Sequence, residues 1–294
     1  MKKLVIDEAF LEELERLQTV LKNNVAGMFG GNRQSKSFGS SCEFADYRDY
    51  MPGDDVTKID WNAYARFDKL YEKLYFDERQ MHTKIYIDAS RSMIYGDGTK
   101  AEQAIRLAAA WAYLSVCEMD KVSIYAIHDG VVTEVISGMV GKDSYLTYIN
   151  KLNDIEFGGD IFWSEALLPS SVGMGDGISV LISDFLTDND YEQAIDFLAS
   201  KRRDIVCMQV LSREEINPQI RGKVHLFDSE NSKKDYRKNV NKDISDAYKR
   251  ALKHVIERIK NYCEARGASY LMSADDVSVG DVFFGTLSDM GVVE

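Results

Sequence analysis

The chain is 294 residues long and carries 36 Lys plus Arg against 48 Asp plus Glu, a formal net charge of −12. That balance argues against a nucleic-acid or anionic-membrane partner engaged through bulk charge, because counterion release and lipid attraction both need a basic face. The excess is uneven: residues 1–80 carry 12 basic and 15 acidic side chains, residues 81–220 carry 11 and 21, and residues 221–294 carry 13 and 12. Cys42, Cys117, Cys207 and Cys263 lie too far apart for a CxxC metal knuckle or a dense disulfide framework and read as thiols in a reducing compartment. The N-terminus reaches Asp7, Glu8, Glu12 and Glu13 before any signal-peptide core, and the longest apolar stretch, Leu107 to Cys117, falls far short of the ~20 residues that span a bilayer. A cytoplasmic protein with no membrane insertion is expected.

Residues 8–22 place Phe10, Leu11, Leu14, Leu17, Val20 and Leu21 at helical spacing, an amphipathic helix that needs a partner surface. Residues 27–42 are Gly- and Ser-rich and read as a loop. A polar-aromatic segment follows, with a turn at Pro52-Gly53-Asp54 and a strand at Leu70–Phe76. From residue 82 short β-rich runs alternate with helical ones. Thr83–Ile87 is a strand ending at Asp88, and Thr99-x-x-Glu102 is a capping box opening a helix. Val122–Ile127 and Val131–Ile136 pair across the hairpin turn His128-Asp129-Gly130. Strands at Ile178–Ile182, Ile205–Leu211, Val224–Phe227 and Ser269–Met272 are interleaved with helices near 190–200 and 243–265. This alternation predicts an α/β fold with a doubly wound, mainly parallel, Rossmann-like sheet over residues 81–294, preceded at 1–80 by the helix and a β-rich appendage.

Ligands of such sheets bind beyond the carboxyl ends of the strands, at the switch point of strand order. Three such exits carry oxygen ligands: Asp88-Ala89-Ser90-Arg91-Ser92, Ser183-Asp184, and the loop Phe157-Gly158-Gly159-Asp160. In a turn leaving a strand, alternate side chains can face the same way, so Asp88, Ser90 and Ser92 can share a cation. Hard oxygen donors that leave room for water suit Mg²⁺ or Mn²⁺. Hydroxyls neutralise no charge, so an ion held this way stays electrophilic toward a partner's carboxylate. The bland alternative is that Asp88 and the serines cap a turn.

Asp88-Ala-Ser90-Arg-Ser92 resembles the first loop of the metal-ion-dependent adhesion site in von Willebrand factor type A domains. The stretch from Glu43 to Arg79, with Glu43-Phe-Ala-Asp-Tyr-Arg48-Asp-Tyr50, Pro52-Gly-Asp54-Asp55 and Ile59-Asp60-Trp61, resembles the signature of the domain-of-unknown-function 58 family. The resemblance covers roughly residues 25–230. It implies a von Willebrand A-like fold and a non-enzymatic protein-interaction module that partners a MoxR-type AAA+ ATPase, or its client protein, in protein maturation or remodelling. Carried over by position, it makes Asp88, Ser90, Ser92 and Asp184 metal-site residues. Asp160 departs from the pattern, standing where a type A domain has Thr after Gly-Gly. It either adds a carboxylate to the metal or caps the helix near 164–168. Arg48, Arg66, Asp54, Asp55 and Asp60, among Tyr47, Tyr50, Trp61 and Tyr64, form either a recognition surface or, the favoured reading, a scaffolding Arg–carboxylate network.

The competing enzyme class is a divalent-metal-dependent phosphoryl-transfer or hydrolytic activity using the same carboxylates. A phosphatase with Asp88 as nucleophile fits less well, because a second Asp is expected two positions on and Ser90 stands there. Gly30–Ser37 misses the second glycine of a phosphate-binding loop and follows a helix, and Gly173–Gly177 is not a dinucleotide fingerprint.

Overall fold

The computed structural model describes residues 8–24, 35–38, 44–77, 81–94, 97–186, 190–219, 222–227 and 235–289. They divide into two units, one formed by the chain before residue 21 and after residue 80, the other by residues 21–80. Cys42 and most of the Gly/Ser-rich loop expected at 27–42 lie outside the described residues.

Helix α1 (Glu8–Asn24) carries the expected apolar stripe. Leu14 and Leu17 are fully buried, and the Glu13 carboxylate accepts the Gly280 N–H at 2.9 Å, so the start of the helix belongs with the larger unit.

The smaller unit holds strands β1 (Ser35–Phe38), β2 (Phe44–Asp49) and β3 (Tyr71–Asp77) in an antiparallel sheet of order β1-β3-β2, with helix α2 (Trp61–Phe67) between the last two strands in the chain. Arg48, Asp54 and Asp60 are engaged close to home. Arg48 lies directly across from Glu72 and pairs with it at 2.6 Å while also reaching Asp54 at 3.1 Å. Asp54 accepts the Met51 N–H at 3.0 Å, closing the turn in which Gly53 has φ 113°. Helix α2 was not legible from periodicity; it starts because Asp60 accepts the N–H groups of Asn62 and Ala63 at 2.9 and 3.2 Å. The Tyr47 hydroxyl donates to the same carboxylate at 2.8 Å and Lys73 lies 3.3 Å away. With the Tyr47 bond as the largest cause, these donors hold the Asp60 carboxyl down at about 2. Trp61 and Phe67 remain well exposed.

The larger unit continues with β4 (His82–Asp88), α3 (Thr99–Cys117), β5 (Lys121–His128), β6 (Val131–Met139), α4 (Gly141–Tyr148), α5 (Trp163–Leu167), β7 (Gly177–Ser183), α6 (Asp190–Ser200), β8 (Arg203–Leu211) and α7 (Arg213–Ile216). It ends with β9 (Gly222–Phe227), β10 (Asp235–Val240), α8 (Lys242–Glu264), β11 (Ser269–Ala274) and α9 (Val279–Asp289). Six strands form one sheet in the order β11-β8-β7-β4-β5-β6, all neighbours parallel except the β5–β6 hairpin, while β9 and β10 make a separate antiparallel pair. This is the expected doubly wound α/β arrangement. The chain leaves β4 toward β5 on one side and returns to β7 on the other, which places the switch point at the end of β4.

Strand side chains alternate between faces. Tyr86, Leu181, Ile205 and Cys207 join Trp163, Tyr191, Leu198, Ile259 and Cys263 of α5, α6 and α8 in one core. Their neighbours Ile85 and Ile87, buried at the opposite pleat, share their side of the sheet with α3, whose Trp111 ring packs on Phe283 of α9 at 5.7 Å. At the amino ends of the strands, buried Arg203 donates to the carbonyls of His82 and Gly175 at 2.7 Å each, and Lys84 Nζ donates to those of Val172 and Met174 at 2.5 and 2.6 Å. These cations are satisfied by backbone and staple the loop before β7.

The expected capping box at Thr99 and Glu102 is absent. Gly98, at φ 74°, is the N-cap and makes no side-chain cap, while the Thr99 hydroxyl bonds the Asp275 carboxylate, a stronger charged acceptor that tertiary packing brings to it.

Candidate functional site

Strands β4 and β7 are hydrogen-bonded neighbours with Ile87 opposite Ile182, so Asp88 and Ser183 leave the sheet side by side. Asp88 is fully buried. Its Oδ1 accepts the Ser90 N–H at 2.9 Å and its Oδ2 accepts the Ser183 hydroxyl at 2.5 Å. The Ser90 and Ser92 hydroxyls lie 3.0 Å apart, so the alternate side chains of the Asp-x-Ser-x-Ser turn do converge. Burial, and then the charge of nearby Asp184, push the Asp88 carboxyl up to about 7 against the help of Ser183 and Ser90. Among the described residues no lysine, arginine or histidine pairs with it.

Asp184 is equally buried and differently served. Its Oδ1 accepts the Leu186 N–H at 3.1 Å, and its Oδ2 accepts from Lys100 Nζ at 2.9 Å. Lys100 also donates to Glu215 Oε1 at 2.7 Å. Burial alone would lower the Lys100 ammonium, but Asp184 and Glu215 outweigh it and its pKa is raised.

The middle loop is fixed by backbone. The Gly158 N–H donates to the Ala89 carbonyl at 2.8 Å and the Arg91 N–H to the Gly159 carbonyl at 2.9 Å. Asp160 is tied to the β5–β6 turn, its N–H donating to Asp129 Oδ1 at 3.0 Å and its carbonyl accepting the Asp129 N–H at 2.7 Å. That turn has Asp129 at φ 49° and Gly130 at φ 70°, the left-handed pair that an Asp-Gly hairpin requires. Asp160 does not cap the following helix; Phe162 holds that position, and the Asp190 carboxylate accepts the Ser164 N–H at 3.0 Å instead. Among the described residues no three His, Cys, Asp or Glu side chains gather as a metal cage, so Asp160 is not drawn into a cluster with Asp88 and Asp184.

The family model described as "Protein of unknown function DUF58" matches residues 46–257. The chain belongs to this family. Uncharacterized proteins of Mycobacterium tuberculosis (strain H37Rv) and Mycobacterium bovis are each 24% identical over 230 residues, covering 76% of the chain and 72% of the relative. Among solved structures, the conserved hypothetical protein BatB from Bacteroides thetaiotaomicron is 16% identical with a TM-score of 0.43, covering 72% of this chain and all of that one. The VWA domain of SpRpn10 is 11% identical with a TM-score of 0.40, covering 71% and 95%.

In this DUF58 protein, the sequence singled out Asp88, Ser90, Ser92, Asp160 and Asp184, named Ser183 only as the neighbour of Asp184, and did not single out Lys100 or Glu215. Ser183 stood in view as the strand's last residue. Lys100 carried a fainter signal, a lysine in the first turn of a helix whose positive dipole end favours acids there. Glu215 was marked only by the Ser212–Glu215 capping box of α7.

The residues fit a small divalent cation. Asp88 is a buried carboxylate without a counter-cation, beside two hydroxyls. Mg²⁺ or Mn²⁺ takes few protein oxygens and keeps waters in its other positions. Phe162 and Leu186, each two residues beyond Asp160 and Asp184, are about 40% exposed. No helix among the described residues is long and apolar enough to cross a membrane.

Proposed function

We propose that this protein is a non-enzymatic interaction module whose docking site is a divalent-metal centre of the adhesion type at the end of β4. The observation that carries this reading is the state of Asp88: fully buried, unpaired with any described cation, and beside the converging Ser90 and Ser92 hydroxyls at the switch point. A buried carboxylate left in that condition is costly, and a cation is the natural remedy. Asp88, Ser90 and Ser92 would hold Mg²⁺ or Mn²⁺, with Asp184 as the second carboxylate and Asp160 contributing charge at the rim. The ion would supply a positively charged point for a partner's carboxylate, and exposed Phe162 and Leu186 would supply apolar contact around it.

The partner is a MoxR-type AAA+ ATPase or the client protein that the ATPase remodels, a reading supported by membership of the DUF58 family together with the resemblance of the Glu43–Arg79 signature. The site serves protein maturation in the cytoplasm. Pull-down of the cognate ATPase with the full chain, with and without EDTA and with Asp88→Ala, tests this. Binding lost in both perturbed cases is expected. Binding unchanged in both removes the metal from recognition.

A further inference from the structure

Lys100 is the feature of the strand exits that a metal site does not call for. It occupies the first turn of α3, where a helix end repels cations, and it is only 3% exposed. A lysine is stripped of water in such a place only if its partners repay the loss. Here they are Asp184 at 2.9 Å and Glu215 at 2.7 Å. Glu215 is itself immobilised, since its Oε2 accepts the Ser212 N–H at 2.8 Å while its own N–H donates to the Ser212 hydroxyl at 3.1 Å. Lys100 is thereby anchored from the far side, and both oxygens of Asp184 are engaged, one by Lys100 and one by Leu186 N–H. In their ionised forms Asp88, Asp184, Glu215 and Lys100 leave two negative charges, the amount one divalent ion cancels. Without Lys100 they would leave three.

We propose that Lys100 is a positioning residue, a tethered ammonium that reserves Asp184, limits the affinity of the neighbouring site for divalent cations, and keeps that site folded when no cation is bound. This rests on the reading that a divalent ion is held at Asp88. A tethered positive charge opposes the ion's arrival and stands in for it when it is absent. The same residue therefore makes the site exchangeable, as a docking centre that is loaded and unloaded requires.

The test uses the full chain with Mn²⁺ as probe, by calorimetric titration and by thermal melting with and without the ion, in wild type, Lys100→Met and Glu215→Gln. Lys100→Met should melt lower without Mn²⁺ and show a larger Mn²⁺-induced rise. It should bind Mn²⁺ about tenfold tighter or more, since the substitution both removes a positive charge and frees the Asp184 carboxylate that Lys100 holds, which together outweigh about one pK unit. Glu215→Gln leaves Lys100 to Asp184 alone and removes a negative charge, so it should bind several-fold more weakly. A merely structural lysine would not raise affinity on removal, nor would the two variants move in opposite directions. Lys100→Met binding no tighter than wild type, or both variants shifting the same way, overturns the proposal. If Lys100→Met does not fold even with Mn²⁺, Glu215→Gln decides, and unchanged or tighter binding there overturns it. Binding by Lys100→Met but by neither wild type nor Glu215→Gln defeats the metal reading of the native protein while leaving Lys100 as the substitute cation; absence in all three defeats both.

Discussion

Gly159→Ala is the substitution that most sharply tests how the middle loop is held. Gly159 adopts φ 68°, and a Cβ built there would fall inside van der Waals contact of the Asp129 carboxylate. Two costs follow. The left-handed conformation is strained for alanine by about 1 kcal/mol. The Asp129 side chain must also rotate away and surrender the Asp160 N–H that it accepts at 3.0 Å. The strain alone corresponds to a fall in Tm of roughly 2–4 °C for a unit of this size, and the lost hydrogen bond deepens it. Thermal melts of Gly159→Ala, Asp129→Ala and the double variant separate the two costs, because in the Asp129→Ala background only the backbone strain remains. Non-additive costs at the two sites are expected from their direct contact. A Gly159→Ala cost below about 0.5 kcal/mol, or the same cost in both backgrounds, would refute the account of the clamp.

His82 and Asp60 give two further tests. The His82 ring lies 2.9 Å from the Ser123 hydroxyl, and burial, followed by the charges of Lys84, Lys121 and Arg203, lowers its pKa from 6.5 to about 4. A depressed histidine contributes stability above its unfolded pKa and loses it as pH falls through the folded value. Tm should therefore decline between about pH 6.5 and 4, and His82→Gln should flatten that part of the profile; an identical slope in the variant would be contrary evidence. Asp60→Asn keeps the shape but weakens the Lys73 and Tyr47 interactions and the α2 cap, so amide exchange at residues 61–67 should accelerate while the β4–β8 amides stay protected. Unchanged exchange in α2 would show that the carboxylate does not hold that helix.

The doubly wound sheet was readable because its strands are short β-branched or apolar runs ending in turn chemistry, as at Ile178–Ile182 and at Asp129-Gly130. Helix α2 was not, since Trp61, Tyr64 and Phe67 are exposed and leave no core-facing stripe; its start lies in the Asp60 cap rather than in periodicity. The convergence at the end of β4 was legible because side-chain alternation through Asp88, Ser90 and Ser92 is a local property. Lys100 and Glu215 were hidden because their meeting with Asp184 joins residues 84 and 115 positions apart. The acidic middle of the chain likewise takes on a specific meaning there: Asp88, Asp184 and Glu215 account for part of its surplus, and Lys100 pairs with the last two.

The central claim is that Asp88 holds a divalent ion, and the direct measurement is Mn²⁺ binding by calorimetry with a parallel thermal melt, in wild type and Asp88→Asn. Saturable wild-type binding is expected, with stabilisation near 2.7 kcal/mol at about 100 times Kd. Asp88→Asn removes a buried charge and should melt without Mn²⁺ at or above the wild-type temperature while losing the Mn²⁺ response. No wild-type response at saturating Mn²⁺ or Mg²⁺, or an equal response in Asp88→Asn, would contradict the account.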